Sequence, residues 1–195
     1  MLGCFEAVVN RYPEALLVLA PRHPERFEWV ADMMKWRHER ECPDMPWQRR
    51  SEWNGERLPA GGIFFLDTIG ELASLYQFAD LAFVGGSLIP KGGHNVLEAA
   101  QFGLPILVGP YTENFRDIIG IFQRAQALCV VETETLAPTL LELLGDDAKR
   151  EQMGNRAFQV MQAQQGATER TVEALISLLS RSSASAPRVA AEKQA

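Results

Sequence analysis

Residues 83–115 read FVGGSLIPKGGHNVLEAAQFGLPILVGPYTENF, and this stretch decides the fold. Six of the fifteen glycines fall between Gly85 and Gly109. An apolar run, Leu81 to Val84, ends at Gly85-Gly86, and a second glycine pair, Gly92-Gly93, precedes a helical pattern over Asn95 to Phe102. A further apolar run follows at Pro105 to Val108. Strand, turn, helix and strand in this order make a right-handed crossover between parallel strands.

The same alternation extends both ways. Downstream, the pattern predicts a helix over Asn114 to Ala127, a strand over Leu128 to Val131 and two or three helices to about Leu179. Upstream stand a strand at Ile63 to Leu66 and a helix over Gly70 to Ala79. Leu16 to Ala20 is a buried strand ended by Pro21. From Pro24 a helix is predicted, because Phe27, Val30 and Met34 recur at helical spacing. Glu39 to Gly62 lacks periodicity and reads as a long surface loop. The expected architecture is α/β: a Rossmann-like, doubly wound parallel sheet flanked by helices, with a helical C-terminal segment. One domain is expected over residues 1–180, with a disordered tail over 181–195, where the sequence RSSASAPRVAAEKQA is small and polar.

Composition narrows the partners. A formal charge of -6 and a pI near 5.2 give no global field for nucleic acid, so a small anion would need local, aimed cations. Cys4, Cys42 and Cys129 are too dispersed for a zinc site or a disulfide framework and fit a reducing cytosol. No apolar run approaches the ~20 residues of a membrane span, and the first residues do not read as a secretory signal.

Candidate chemistry lies at the strand ends, where a doubly wound sheet opens its ligand crevice. Gly85, Gly86 and Ser87 follow one strand, and Gly92 and Gly93 feed a helix whose amino end would offer N–H groups to a phosphate. The pattern is neither a dinucleotide fingerprint nor a P-loop. Lys91 reads either as a point charge for an anion or as a solvated loop lysine. His94 reads either as a donor to a ligand oxygen or as a residue stacked on the helix start. Asn95 and Glu98 have capping-box spacing, and Glu98 has a second reading as a carboxylate for two ribose hydroxyls. Pro21, Arg22 and His23 sit between a strand and a helix, placing a guanidinium where it can grip phosphate or carboxylate in bidentate fashion. Thr68, Gly70 and Glu71 occupy another strand-to-helix junction, again with capping-box spacing. Asn114 follows a third, in GPYTENF.

The runs LAPRHPERF, LDTIGELASLYQFADLAFVGGSL, GGHNVLEAAQFGLPILVGP and NFRDI resemble the bacterial Kdo (3-deoxy-D-manno-octulosonic acid) transferases of lipopolysaccharide assembly. The likeness covers Leu16 to Asp117 in several motifs. It departs at Tyr111, where histidine is expected, and at Ala99, where proline is common. The resemblance implies the second domain of a metal-independent GT-B glycosyltransferase that binds CMP-Kdo, with CMP-Kdo as co-substrate and no cofactor. It implies that Arg22 and Lys91 contact the phosphate or the Kdo carboxylate, that Glu98 holds the ribose and that Asn95 makes a polar contact. Ser87 and the amides of Gly85, Gly86, Gly92 and Gly93 would wall the phosphate seat.

The resemblance further implies an amino-terminal acceptor domain that carries the catalytic base and the membrane-associating segment, so no catalytic residue is assigned in this chain. The lipid A precursor would be met through that domain, with the parent enzyme at the cytoplasmic face of the inner membrane and this piece soluble. Two other readings stand beside it. One is a GT-B transferase or epimerase using a UDP- or ADP-sugar, and the other is a non-catalytic sugar-nucleotide-binding module.

Overall fold

The computed structural model describes the backbone of residues 1–184 and the side-chain environments of residues 1–164, Ile176 and Ser177. Six short strands are described, and every pairing between them is parallel. β1 (Leu17–Leu19), β2 (Trp47–Arg49) and β3 (Ile63–Phe65) form one sheet in the order β1-β3-β2. β4 (Ala82–Val84), β5 (Ile106–Val108) and β6 (Leu128–Val130) form another in chain order. The expected doubly wound sheet is therefore present as two three-stranded parallel halves. The central strands are the most deeply buried, Ile-Phe-Phe in β3 and Ile-Leu-Val in β5, with all six residues buried. A parallel strand covered on both faces has no solvent side for a polar residue.

The helices are α1 (Leu2–Arg11), α2 (Phe27–Arg40), α3 (Leu72–Leu75), α4 (Leu97–Ala100), α5 (Arg116–Arg124), α6 (Thr133–Leu144) and α7 (Asp147–Ala184). They cover both faces of the second sheet, as successive residues of β5 reveal. Ile106 and Val108 join Val96, Ala99, Ile119, Phe122 and Ala157 in one core. Leu107 points the other way, into a core with Phe5, Val8, Ile63, Phe65, Leu136 and Met153. This alternation is the period-2 geometry of a strand, and it joins the two sheets through a shared apolar layer.

Several sequence expectations change. The segment read as a loop from Glu39 to Gly62 begins in α2 and contains β2, whose Trp47 and Arg49 stand opposite Ile63 and Phe65. A three-residue edge strand with two polar residues has no apolar alternation to betray it. α1 was not anticipated; it buries Phe5 and Val8 against the layer that α6 completes. The helix expected over Asn95 to Phe102 is only four residues long, because its approach runs through Gly92 and Gly93 at positive φ and Gly103 at φ +64° turns the chain away. The helix expected over Gly70 to Ala79 is likewise shortened to α3 and one 3₁₀ turn. At the other end, α7 includes Arg181 to Ala184, the first residues of the expected disordered tail, and the remainder of that tail lies outside the described residues.

One close approach sets the path of α7. A Cβ on Gly154 would overlap the carbonyl oxygen of Gly103, so the helix crosses the turn after α4 backbone to backbone. Only a residue without a side chain allows this.

Candidate functional site

The carboxyl ends of β1, β4 and β5 carry three loops. β1 leads to Pro21, Arg22 and His23, and β4 leads to Gly85 through Asn95. β5 leads to Gly109 through Asn114. The second and third are tied together. The Tyr111 N–H donates to the Ser87 carbonyl at 2.9 Å and the Asn114 N–H to the Gly92 carbonyl at 3.1 Å. Within the second loop, the Gly93 N–H donates to the Gly86 carbonyl at 2.9 Å, which folds the two glycine pairs face to face. Gly86, Gly92 and Gly93 have φ of 70°, 82° and 72°, a region costly for any residue with a Cβ. The Gly93 amide is thereby committed inside the protein.

Ser87 is fully buried. Its hydroxyl donates to the Val84 carbonyl at 2.6 Å and accepts from the Gly109 N–H at 2.8 Å. The side chain expected to line a phosphate seat instead joins the ends of β4 and β5 from within. Gly109 must be glycine there, since a Cβ would overlap the Ser87 carbonyl.

His94 packs its imidazole on Gly86, with Nε2 2.9 Å from where a Cβ would stand. Desolvation lowers its proton affinity below the ordinary 6.5, and the charges of Arg22 and His23 lower it further against an opposing bond at the Gly93 backbone. His23 faces Glu25 at 3.4 Å, whereas neither Arg22 nor Lys91 forms an ion pair among the described residues. Both are exposed.

The Asn95 carboxamide accepts from the Leu97 N–H at 3.0 Å, a local turn just ahead of α4, whose N-cap position is Val96. Glu98 makes no cap hydrogen bond and is exposed on that short helix. Its negative charge, after burial, raises the Tyr76 phenol above the ordinary 10. Asn114 lies across the glycine loop, with its carboxamide against Gly92 and Nδ2 3.4 Å from the Lys91 carbonyl.

Thr68 and Glu71 do not form a capping box. The Thr68 hydroxyl donates to Glu71, which also receives Arg50 at 2.7 Å, and α3 starts only at Leu72. Gly70 is exposed at φ +90°. This junction belongs to a cluster that the sequence reading missed. Asp67 accepts from Arg49 Nε at 2.6 Å and from the Ser51 N–H and hydroxyl at 2.8 and 2.6 Å, while Arg49 also binds Glu28. Burial works to raise the Asp67 carboxyl, but the Ser51 and Arg49 hydrogen bonds outweigh it and hold it below the ordinary 3.8. The only signal was Trp47-Gln48-Arg49-Arg50 after a proline, too short to identify as a strand.

Among the described residues no helix is long and apolar enough to cross a membrane, and no three His, Cys, Asp or Glu side chains gather as a metal ion would require.

The family described as glycosyl transferases group 1 matches residues 48–160, which span β2 through the first part of α7 and contain the whole glycine loop. This chain belongs to that family. As a group 1 glycosyl transferase it is 35% identical over 93% of its length to the 3-deoxy-D-manno-octulosonic acid transferase of Haemophilus influenzae. It is 35% identical over 89% of its length to the enzyme of that name from Bordetella pertussis. The chain spans about two fifths of those relatives, 41% and 40%. Its fold matches the crystal structure of the C-terminal CMP-Kdo binding domain of WaaA from Acinetobacter baumannii at a TM-score of 0.72 and 30% identity. That match covers 83% of this group 1 transferase chain and 81% of the other.

Proposed function

We propose that this chain is the CMP-Kdo-binding part of a Kdo transferase that acts on a lipid A precursor. The observation that carries the reading is a set of polar side chains at the carboxyl ends of β1 and β4. Arg22 lies on the loop after β1 and Lys91 and His94 on the glycine loop after β4, and neither Arg22 nor Lys91 is neutralised by a carboxylate among the described residues. Unpaired cations beside a preorganised backbone suit a phosphate and a carboxylate, the two anionic groups of CMP-Kdo.

In this reading Arg22 and Lys91 bind the phosphate or the Kdo carboxylate, and the amides of Gly85, Gly86 and Gly92 contribute the wall. Asn95 and His94 add polar contacts. Glu98, free of capping duty, accepts from the two ribose hydroxyls. The chain's chemical contribution is stabilisation of the departing CMP phosphate by fixed positive charge, without a metal. Acceptor binding, nucleophile activation and attachment to the membrane surface are assigned to an amino-terminal domain.

Thermal-shift titration with CMP, UMP, UDP and ADP tests the reading. Saturation at 100 times Kd stabilises a fold by about 2.7 kcal/mol, which for this size corresponds to roughly 5–11 °C in Tm. CMP should exceed the others, and Arg22→Ala and Glu98→Ala should each diminish the shift. Preference for UDP or ADP would reassign the donor.

A further inference from the structure

We propose that Asn114 is a positioning residue that fixes Lys91 for the donor phosphate; the inference rests on the donor reading above. Asn114 takes hold of the Lys91-Gly92 segment at two successive carbonyls. Its backbone N–H donates to the Gly92 carbonyl at 3.1 Å, and its side-chain Nδ2 lies 3.4 Å from the Lys91 carbonyl. Its carboxamide also covers Gly92, where a Cβ would fall inside the amide group. No other side chain grips this segment among the described hydrogen bonds. Lys91 itself is exposed and forms no ion pair among the described residues, so only its backbone determines where the ammonium group starts.

The placement has a chemical consequence. A lysine is a flexible point charge, and its hold on an anion weakens if its anchor also moves. Arg22 reaches the site from a different strand end and gains nothing from Asn114. The loop between Ile89 and Gly92 is otherwise tied by a single tight turn, with the Lys91 N–H to the Ile89 carbonyl at 2.6 Å. Asn114 therefore serves the phosphate half of the ligand and leaves the nucleoside half untouched.

The experiment is isothermal titration of the chain with CMP and with cytidine, using wild type, Asn114→Ala, Lys91→Ala and the double variant. Asn114→Ala should weaken CMP about five- to tenfold, the equivalent of one lost hydrogen bond. Cytidine binding should change less than about twofold, within the scatter of an unaffected site. In the double variant CMP should bind no worse than with Lys91→Ala alone, since a residue acting through Lys91 has nothing left to position. Amide hydrogen exchange at residues 91–93 should quicken in Asn114→Ala without any ligand present. Additive losses, an equal effect on cytidine, or unchanged exchange would each overturn the inference while leaving the donor reading intact. Wild-type protein that binds no CMP would remove the donor reading first, and this inference with it.

Discussion

Ser87→Ala removes one oxygen atom and should cost the fold more than its size suggests. The hydroxyl is fully buried between the Val84 carbonyl at 2.6 Å and the Gly109 N–H at 2.8 Å. Gly109 is itself buried, and a Cβ there would overlap the Ser87 carbonyl, so the two strand ends are in close contact. A buried donor left without a partner costs about 1–3 kcal/mol, and the lost bond to Val84 adds about 1 kcal/mol. The expected total is about 3 kcal/mol, or roughly 6–12 °C in Tm for a chain of this length. Circular dichroism melts and urea titration should agree on this figure. Ser74→Ala, an exposed serine in α3, is the control and should stay within about 0.5 kcal/mol. A Ser87→Ala protein melting within about 2 °C of wild type would refute the reasoning, since the hydroxyl would then not be what joins the two strand ends.

Gly154→Ala should destabilise by about 2 kcal/mol or more, because its Cβ meets backbone at Gly103 and not a side chain able to swing aside; urea midpoints check this. Asp67→Asn should cost about 2 kcal/mol by weakening charge-assisted bonds to Arg49 and Ser51. The Asp67 carboxyl is depressed in the folded state, so its contribution is present above the ordinary 3.8 and fades as pH falls through the lower folded value. The variant's stability should accordingly fall less steeply than wild type between pH 5 and 3, measured by melts across that range. His94 shows the same proton preference between states, at higher pH. Its folded value lies below the ordinary 6.5, so the unfolded chain binds protons more readily and stability should rise as pH passes upward through that region. His94→Gln should flatten that slope, and CMP should bind more tightly toward pH 6 if the anion restores the imidazolium.

Much of the fold was legible because strong local signals agreed. β3, β4 and β5 are apolar runs bounded by glycine or aspartate, and their order with the intervening helices implied parallel crossovers. The glycine pairs were legible as turns with special backbone needs, and three of those four glycines adopt conformations that other residues avoid. What stayed hidden depends on partners far apart in the chain. β2 becomes a strand only by lying beside β3, and the Arg49–Asp67 tie spans 18 positions. Spacing alone misled at Thr68 and Glu71, where the same interval serves a cap in one setting and an arginine partner in another. Nor could sequence reveal that the Ser87 hydroxyl faces inward, because a serine after a glycine pair suits either direction.

The contact between Gly103 and Gly154 is the first of several anchors of α7. Gly154 is the eighth residue of a 38-residue helix, and Ala157 and Met161, one and two turns on, are buried in the same core as Ile106 and Val108. Seven residues of helix measure ~10 Å, so a tilt of about 5° about the Gly103 crossing would shift Met161 by about 1 Å inside a close-packed core. The backbone crossing sets where α7 passes and the buried side chains set its direction, so the turn after α4 leans on a strut and not on a hinge.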